Sequence, residues 1–384
     1  MRVRTLAAVA ICAALGGCGD RATTRGVRLS LLETLAGSDT AGFERALVPR
    51  AFDFPSDHGP HPSFRSEWWY VTGNLTAEDG RDFGFQLTIF RSALAPAAPA
   101  STSAWATNQA YMAHFTVTDI AGTRFHAHER FARGAAGLAG ATREPLRVWL
   151  EDWTLEGSAS ADGFPLRLSA SQGDVALDLT LEAGKAVVAN GDAGLSQKGP
   201  EPGNASYYYS LTRMPAAGRL ALESDTLGVT GLAWLDREWS TSALSAGQVG
   251  WDWVALHVDD GWDLMLYRLR RADGSADEWS AGTLVAPDGA YTALTWNEDV
   301  TLESTGTWTS PIDGGVYPSG WRVELPRRGW SVTVEPRIPQ QELDLSFRYW
   351  EGAVAVRGTG EGSRPVTGRG YVELTGYAGE APER

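Results

Sequence analysis

Apolar and polar residues alternate along most of the chain from Phe52 onward, and glycine-containing turns interrupt the alternation. Residues 83–90, for example, read FGFQLTIF, so every second side chain is large and apolar. A period of two places these side chains on one face of an extended strand. The pattern therefore predicts β-strands rather than helices.

Short turns separate the predicted strands, and glycine supplies the positive φ that tight turns need. Glu78-Asp79-Gly80, Asp259-Asp260-Gly261 and Arg328-Gly329 are three such turns. Strands spaced by roughly ten residues are typical of sandwiches and barrels. One closed barrel of about eight strands would use only about half of this chain, so we predict an all-β fold with two barrels in tandem.

The strand pattern also sets the predicted domain limits. Residues 18–50 form a tether and a short N-terminal lead-in, and the first barrel domain covers residues 51–240. The second barrel domain covers residues 241–384. This boundary falls within residues 218–245, where connections rich in Ala, Gly and Ser separate the strand-like segments.

Composition agrees with this fold class and adds one expectation. The chain has 16 Trp, 44 Gly and 19 Pro but only four Met, which favours short strands and frequent turns. Sixteen indoles exceed what two small barrel cores need. We therefore expect some of the tryptophans to face a ligand.

The first 18 residues, MRVRTLAAVAICAALGGC, predict an export signal. Arg2 and Arg4 form a positive start, and the apolar stretch that follows is too short to span a bilayer as a helix. The final Leu-Gly-Gly-Cys resembles a bacterial lipobox, which implies cleavage of a signal peptide of residues 1–17 and lipidation of Cys18. An ordinary secretory leader with an incidental cysteine is the alternative.

These features predict where the protein works and what it binds. Gly19, rather than Asp, follows Cys18, and by resemblance to sorted lipoproteins this favours the outer membrane, facing the periplasm. The membrane is then a partner through the N-terminal lipid anchor. The net charge is −14, and removing Arg2 and Arg4 makes it more negative, which disfavours nucleic acid as a partner. The sequence leaves the oligomeric state open.

Motifs for common cofactors and nucleophiles are missing from the sequence, so we predict no cofactor. There is no Gly-x-Ser-x-Gly elbow and no P-loop, and the only cysteines are Cys12 and Cys18. His126 and His128 could grip a metal from one strand, but no third ligand is evident near them. We therefore predict no metal site.

Several aromatic segments, in a fixed order from about Phe52 to Tyr377, resemble the AttH and carotenoid 1,2-hydratase (hydroxyneurosporene synthase) family. The segments are SEWWYVTGNL at 66–75, MAHF at 112–115, ASYYYS at 205–210, WLDREW at 234–239 with GWDW at 250–253, and YWEG at 349–352 with GYVELTGY at 370–377.

The resemblance implies two lipocalin-like β-barrel domains with a binding region between or within them. It also implies a hydrophobic small-molecule ligand, such as an isoprenoid or a lipid. Members of the family include carotenoid hydratases and lipoproteins. If this chain is an enzyme, the resemblance implies a hydro-lyase.

Strand alternation in these segments places acids and indoles close together. If residues 67–70 are extended, Glu67 and Trp69 share one face, and Trp68 and Tyr70 share the other. In the same way Asp236 and Glu238 share a face opposite Arg237 and Trp239, and Trp251 and Trp253 share a face opposite Asp252.

Hydration of an alkene needs a proton donor, stabilisation of the resulting cation and a positioned water. A carboxyl group in an apolar pocket has a raised pKa and can remain protonated, and indole faces attract cations. The candidate catalytic acids are Asp236, Glu238, Asp252 and Glu67. The candidate substrate-binding residues are Trp68, Trp69, Tyr70, Gln86, His114, Tyr209, Arg237, Trp239, Trp251 and Trp253.

Each acid also has a structural interpretation, because buried ion pairs perturb carboxylates as active sites do. Arg65, Arg213 and Arg237 are available partners. A hydratase predicts an acid that faces a pocket without a basic partner, whereas a non-catalytic lipid carrier or chaperone predicts an apolar pocket with every acid paired. A purely structural role predicts filled cores and no sizeable pocket.

Overall fold

The computed structural model describes residues 40–241 and 244–378, so the predicted signal peptide and Cys18 lie outside the described residues. Within these ranges the chain is almost entirely β-structure. The exceptions are three short 3-10 helices at Ser56–His58, Pro326–Arg328 and Glu361–Ser363. None of the described helices is long and apolar enough to cross a membrane. The predicted all-β fold is confirmed.

Thirteen strands form the first sheet, and every neighbouring pair is antiparallel. They are β1 (Ser66–Ala77), β2 (Asp82–Ala93), β3 (Gln109–Asp119), β4 (Arg124–Arg133), β5 (Ala139–Thr142), β6 (Arg147–Leu150), β7 (Trp153–Gly157), β8 (Leu166–Gln172), β9 (Val175–Leu181), β10 (Val188–Ala189), β11 (Leu195–Gln197), β12 (Ala205–Leu222) and β13 (Asp225–Ser240).

This sheet curls into a nearly closed barrel. Its strand order is β4-β3-β2-β1-β13-β12-β9-β8-β7-β6-β5, and β10 and β11 also pair with β12. The two ends of the sheet approach each other, because β3 and β4 pack against β6. The first predicted barrel is therefore present as a single, almost continuous sheet.

The second sheet is open and forms about half a barrel, with the order β17-β16-β15-β14-β25-β24-β22-β21-β18 and with β23 beside β24. The remaining strands, β19 and β20, form a separate hairpin. The bounds are β14 (Gln248–Val258), β15 (Asp263–Arg271), β16 (Ala281–Val285), β17 (Tyr291–Thr295), β18 (Thr301–Ser304), β19 (Thr307–Thr309), β20 (Val316–Pro318), β21 (Trp321–Leu325), β22 (Trp330–Pro336), β23 (Glu342–Asp344), β24 (Arg348–Thr359) and β25 (Pro365–Leu374).

Strand alternation builds the core of the first barrel. In β9, Val175, Leu177, Leu179 and Leu181 are buried, and the residues between them are more exposed. This is the period-two pattern that the sequence shows, and burying one face of each strand provides the hydrophobic driving force. The hairpin turn between β1 and β2 also follows the prediction, because Gly80 has a φ of +85°.

The chain passes from the first sheet to the second between Ser240 and Gln248. The outer faces of β1, β12 and β13 then pack against β14, β15, β24 and β25. A third apolar cluster fills part of this junction and includes Tyr70, Tyr208 and Trp253. The residues that meet there belong to the aromatic segments singled out in the sequence.

Candidate active site between the two sheets

A pocket opens between the outer face of the first barrel and the second sheet. It contains about 1000 Å³ of empty space, its open mouth included. Aromatic rings form much of its wall, which is typical of small-molecule sites. The lining residues are Ser66, Trp68, Tyr70, Phe90, Lys198, Ser206, Tyr208, Asp236, Glu238, Ser240, Leu244, Trp251, Trp253, Tyr267, Leu269, Tyr349 and Glu373.

Strand alternation in β1 decides which side chains reach the pocket. Trp68 and Tyr70 line it, whereas Glu67 and Trp69 are buried on the opposite side of the strand. Trp69 belongs to the apolar core of the first barrel. Half of the first aromatic segment therefore serves the pocket and half serves the barrel core.

The same division occurs in β13. Asp236 and Glu238 line the pocket, whereas Arg237 and Trp239 are fully buried on the barrel side. Side chains that follow one another in sequence thus lie in two different environments. The positive charge of Arg237 is directed away from the carboxyl groups beside it in the chain.

Asp236 is buried and held by three neutral donors. The hydroxyl of Ser210 and the indole N–H of Trp234 each donate to Oδ1 at 2.6 Å, and the hydroxyl of Tyr208 donates to Oδ2. Within the described residues it forms no ion pair. Burial raises the pKa of Asp236 to about 6, although the three hydrogen bonds oppose this rise.

Glu373, on β25, is a second acid in the pocket wall and is half-buried. The indole N–H of Trp251 donates to its Oε1 at 2.7 Å, and no ion pair to it occurs in residues 40–241 or 244–378. Burial, together with the nearby carboxyl groups of Asp236 and Glu238, raises the pKa of Glu373 to about 7. Glu373 is therefore partly protonated near neutral pH.

Glu351, on β24, is fully buried immediately behind the pocket wall. The hydroxyl of Tyr70 donates to its Oε1, and Oε2 has no hydrogen-bond partner among the described residues. Burial and the charge of Glu373 raise the pKa of Glu351 well above its ordinary value. The Tyr70 hydroxyl also lies beside Glu373 and lowers its pKa, so one phenol adjoins both carboxyl groups.

Lys198 is the basic residue in the pocket wall. Its Nζ lies 3.5 Å from Oε1 of Glu238, to which the hydroxyl of Ser206 also donates. The ammonium group lies 3.8 Å from the ring centre of Tyr267. Burial alone would lower the pKa of Lys198, but the charge of Glu238 and the Tyr267 ring raise it above its ordinary value.

Aromatic rings give the pocket its apolar surface. Trp253 packs edge to face on Tyr70, with ring centres 5.0 Å apart, and on Trp234 at 6.3 Å. Trp68 and Trp251 complete the indole part of the wall. Rings held in this way present electron-rich faces and polarisable edges to the cavity.

Glu67, a predicted catalytic acid, does not line the pocket. It is fully buried inside the first barrel, where it forms ion pairs with Arg91 and Arg237 and accepts a hydrogen bond from the backbone of His61 at 3.0 Å. Burial alone would raise the pKa of Glu67, but Arg237 and Arg91 hold it well below its usual range. This geometry is that of a structural ion-pair network.

Asp252, also predicted as a catalytic acid, lies on the face of β14 opposite Trp251 and Trp253. It pairs with Arg268 and with Arg270 at 3.0 Å, and it accepts a hydrogen bond from Tyr377 at 2.9 Å. Asp252 is completely buried there. The pattern of paired charges again matches the structural interpretation.

Six predicted substrate-binding residues do not reach the pocket. Trp69, Tyr209 and Trp239 belong to the core of the first barrel, and Arg237 pairs with Glu67 there. The indole of Trp239 is stacked on His61 at 3.7 Å. Gln86 and His114 lie one layer behind the wall, where both contact the hydroxyl of Tyr349.

Glu373, Glu351 and Lys198 are the charged site residues that sequence reasoning missed. The two glutamates stand in the segments YWEG and GYVELTGY, whose resemblance to the family could have marked them as candidates. Lys198 lies in a polar connection, and no pattern there indicates that it is buried. Among the described residues, no cluster of three or more His, Cys, Asp or Glu side chains is arranged to hold a metal ion.

A family model described as AttH-like matches residues 45–377, which include every element of the pocket. The chain belongs to the AttH-like family. A crystal structure of a protein described as AttH from Nitrosomonas europaea is 32% identical and superimposes with a TM-score of 0.76. The superposition covers 88% of this chain and 100% of that one. The family resemblance and the lipocalin-like barrel fold are thus confirmed.

Two curated relatives of this AttH-like chain are named for adding or removing water. The kievitone hydratase of Fusarium solani subsp. phaseoli is 29% identical over 225 residues, covering 54% of this chain and 59% of the relative. The dehydratase asqC of Emericella nidulans is 26% identical over 234 residues, covering 57% and 63%. The matches therefore span about three fifths of these relatives.

Proposed function

We propose that this protein is a hydro-lyase that binds a hydrophobic alkene or alcohol in the pocket between the two sheets and adds or removes water. The observation that carries the proposal is the pair Asp236 and Glu373. Both acids line an aromatic pocket, and neither has a basic ion-pair partner within the described residues. The two curated relatives support the same reaction class.

Glu373 is suited to donate the proton. With a pKa of about 7, a substantial fraction of its carboxyl group is protonated at neutral pH. A donor of this kind transfers its proton to one alkene carbon, leaving a carbocation at the other. In the dehydration direction the roles reverse: protonated Asp236 gives its proton to the leaving hydroxyl, and ionised Glu373 takes the proton from the neighbouring carbon.

Asp236 is suited to act as the base. Its pKa of about 6 leaves it mostly ionised at neutral pH, and Tyr208, Ser210 and Trp234 hold its orientation. It can take a proton from the water that attacks the cation. Two carboxyl groups with separated pKa values thus divide the acid and base roles.

The aromatic wall is suited to the cationic intermediate. A ring face attracts a nearby cation by about 0.5 to 2 kcal/mol, and more when water is excluded. Trp251, Trp253 and Tyr70 line the same pocket as the two acids. The same surface favours an isoprenoid or lipid-like substrate through the burial of apolar area.

The test is the incorporation of labelled water. The purified protein is incubated with a total lipid extract in ¹⁸O-water, and mass spectrometry follows new hydroxyl groups that carry the label. We expect labelled product with the wild-type protein and a decrease of about 10²- to 10⁴-fold in Asp236→Asn and Glu373→Gln. Glu303→Gln, on the exposed edge of β18, is the matched control and should keep the wild-type rate.

Two results would retire the enzyme proposal. Lipid that binds in the pocket and is recovered chemically unchanged from the wild-type protein would favour the non-catalytic carrier. Equal product formation by wild type and both acid variants would remove Asp236 and Glu373 from the reaction.

We also propose that the protein is exported and anchored through lipid on Cys18, as the leader sequence indicates. Several acyl chains on one terminus would hold it firmly at the membrane surface. Labelling of the cells with radioactive palmitate should mark the protein, and Cys18→Ser should abolish the label. A soluble, unlabelled wild-type protein would contradict the anchor.

A further inference from the structure

A row of polar side chains runs from the surface to the pocket wall, which it reaches at Tyr349. It begins near the surface at Glu129 on β4, passes through His114 on β3 and Tyr349 on β24, and reaches Glu351. Strand pairing alone does not explain this row, because it connects both sheets. Nor does substrate contact, because His114 and Glu129 do not line the pocket.

Glu129 forms the outer end of the row. Its side chain is 13% exposed, so water reaches it. The hydroxyl and the backbone N–H of Ser346 donate to its Oε1 at 2.7 Å and 3.2 Å, which leaves Oε2 free of hydrogen bonds within the described residues. That free oxygen lies 3.4 Å from Nε2 of His114.

His114 is the middle of the row and is completely buried. Its Nδ1 lies 2.7 Å from the hydroxyl oxygen of Tyr349. In the described part of the chain, Glu129 and Tyr349 are the titratable groups that contact it, and Phe90 and Phe347 pack against the ring. An imidazole with one nitrogen toward each partner can accept a proton on one side and release one on the other.

The inner end reaches the acid in the pocket. The hydroxyl of Tyr70 donates to Oε1 of Glu351. The hydroxyl of Tyr349 lies beside the same carboxyl group and lowers its pKa, as the hydroxyl of Tyr70 lowers the pKa of Glu373. Gln86 donates to the Tyr349 oxygen at 3.4 Å, which favours directing the Tyr349 proton toward His114 or Glu351. Each member of the row therefore lies beside the next, from Glu129 to Glu373.

We propose that Glu129, His114, Tyr349, Glu351 and Tyr70 form a proton relay that returns a proton from the surface to Glu373 while the pocket is occupied. The proposal rests on the proposed hydro-lyase function. His114 and Glu129 act through Glu373 and do not touch the substrate.

The balance of the reaction creates the need for such a relay. Hydration forms a C–H bond with the proton of Glu373 and a C–O bond with water, and the second proton of that water passes to Asp236. One turnover therefore leaves Glu373 ionised and Asp236 protonated. Asp236 can lose its proton to water at the pocket mouth. Glu373 must regain one while the hydrophobic product still excludes water from the wall, and the relay supplies it. Dehydration runs the same transfers in reverse.

The experiment uses the full-length protein, the total lipid extract and the ¹⁸O-label assay described above. We expect His114→Phe and Glu129→Gln to lower the rate of labelled product formation by about ten-fold or more. His114→Gly should regain rate when imidazole is added to the buffer, a response that a purely structural histidine would not give. His128→Phe is the matched control, because this half-buried histidine packs on Phe115 in the first barrel.

The possible outcomes separate the relay from the reaction it serves. Wild-type protein without labelled product contradicts the hydro-lyase and the relay together. Labelled product at equal rates in wild type, His114→Phe and Glu129→Gln overturns the relay alone. A rate loss in His114→Phe that matches a lower unfolding free energy, with no rescue of His114→Gly by imidazole, also overturns it, because the histidine is then only structural.

Discussion

The interior of the first barrel and the pocket beside it treat buried carboxyl groups in opposite ways, although the same strands build both. On the inner face, Glu67 meets two guanidinium groups, those of Arg91 and Arg237. On the outer face, Asp236 meets only neutral donors. Asp236 and Arg237 are adjacent in β13, but Asp236 faces the pocket and Arg237 faces the barrel interior.

The two environments shift the pKa values of the acids in opposite directions. Burial would raise the pKa of each acid, but the arginine charges reverse this at Glu67, whose pKa is lowered. Without arginines, burial dominates at Asp236 and Glu373, whose pKa values rise to about 6 and about 7. Arginine partners fix a charge for structure, and their absence leaves a proton available for chemistry.

The largest expected effect on stability comes from breaking the ion pairs of Glu67 inside the first barrel. Glu67→Gln leaves Arg91 and Arg237 buried beside a neutral amide, so we expect the free energy of unfolding to fall by about 3 to 5 kcal/mol. Denaturant unfolding at pH 7 measures this loss. Asp236→Asn, the equivalent change on the pocket side of β13, should cost far less, and equal losses in both variants would erase the contrast.

The contrast also explains how much of the molecule the sequence could predict. Period-two alternation and glycine turns predicted the strands of β1, β2 and β9, because burying one face of a strand leaves a local signal. The same alternation assigned Trp68 and Tyr70 to one face of β1. These properties depend on neighbours along the chain.

Long-range partners left no such signal. Glu67, Asp236 and Asp252 look alike in sequence, and only their contacts across strands and sheets distinguish them. Arg91 is 24 residues from Glu67, and Arg268 is 16 residues from Asp252. Glu373 could not be identified from the sequence for the same reason: its neighbours Tyr70 and Trp251 lie on other strands, β1 and β14. Alternation could not identify Lys198 because it lies outside every strand.

A smaller effect on stability should come from replacing Glu373, an acid in the pocket without an ion-pair partner among the described residues, by a neutral residue. The folded-state pKa of Glu373, about 7, lies above its ordinary value of 4.5. Between these pH values the folded protein keeps a proton that the unfolded chain releases, so this contribution to stability is lost as pH rises. We expect Glu373→Gln to raise the free energy of unfolding at pH 8 by about 1 to 3 kcal/mol.

Denaturant unfolding at pH 5 and pH 8 tests this prediction. The gain in Glu373→Gln should shrink at pH 5, where the wild-type carboxyl group is mostly protonated. Glu67 should show the opposite dependence, and at lower pH: its lowered pKa contributes stability that is present above its ordinary value of 4.5 and is lost as pH falls below that value. A stability gain in Glu373→Gln that is the same at both pH values would contradict the raised pKa.

The smallest effect concerns a single hydrogen bond in the pocket. Trp251 donates its indole N–H to Oε1 of Glu373 at 2.7 Å, and this bond favours the ionised carboxylate. Trp251→Phe keeps an aromatic ring but removes the donor, so the pKa of Glu373 should rise further, by about one pH unit. A carbon NMR titration of the labelled glutamate carboxyl measures the change. Trp253→Phe is the matched control, because the Trp253 indole donates to Tyr208 at 3.3 Å instead. If both variants move the titration equally, the shift reflects the loss of indole bulk, and the neutral donors do not set the proton affinity of the pocket.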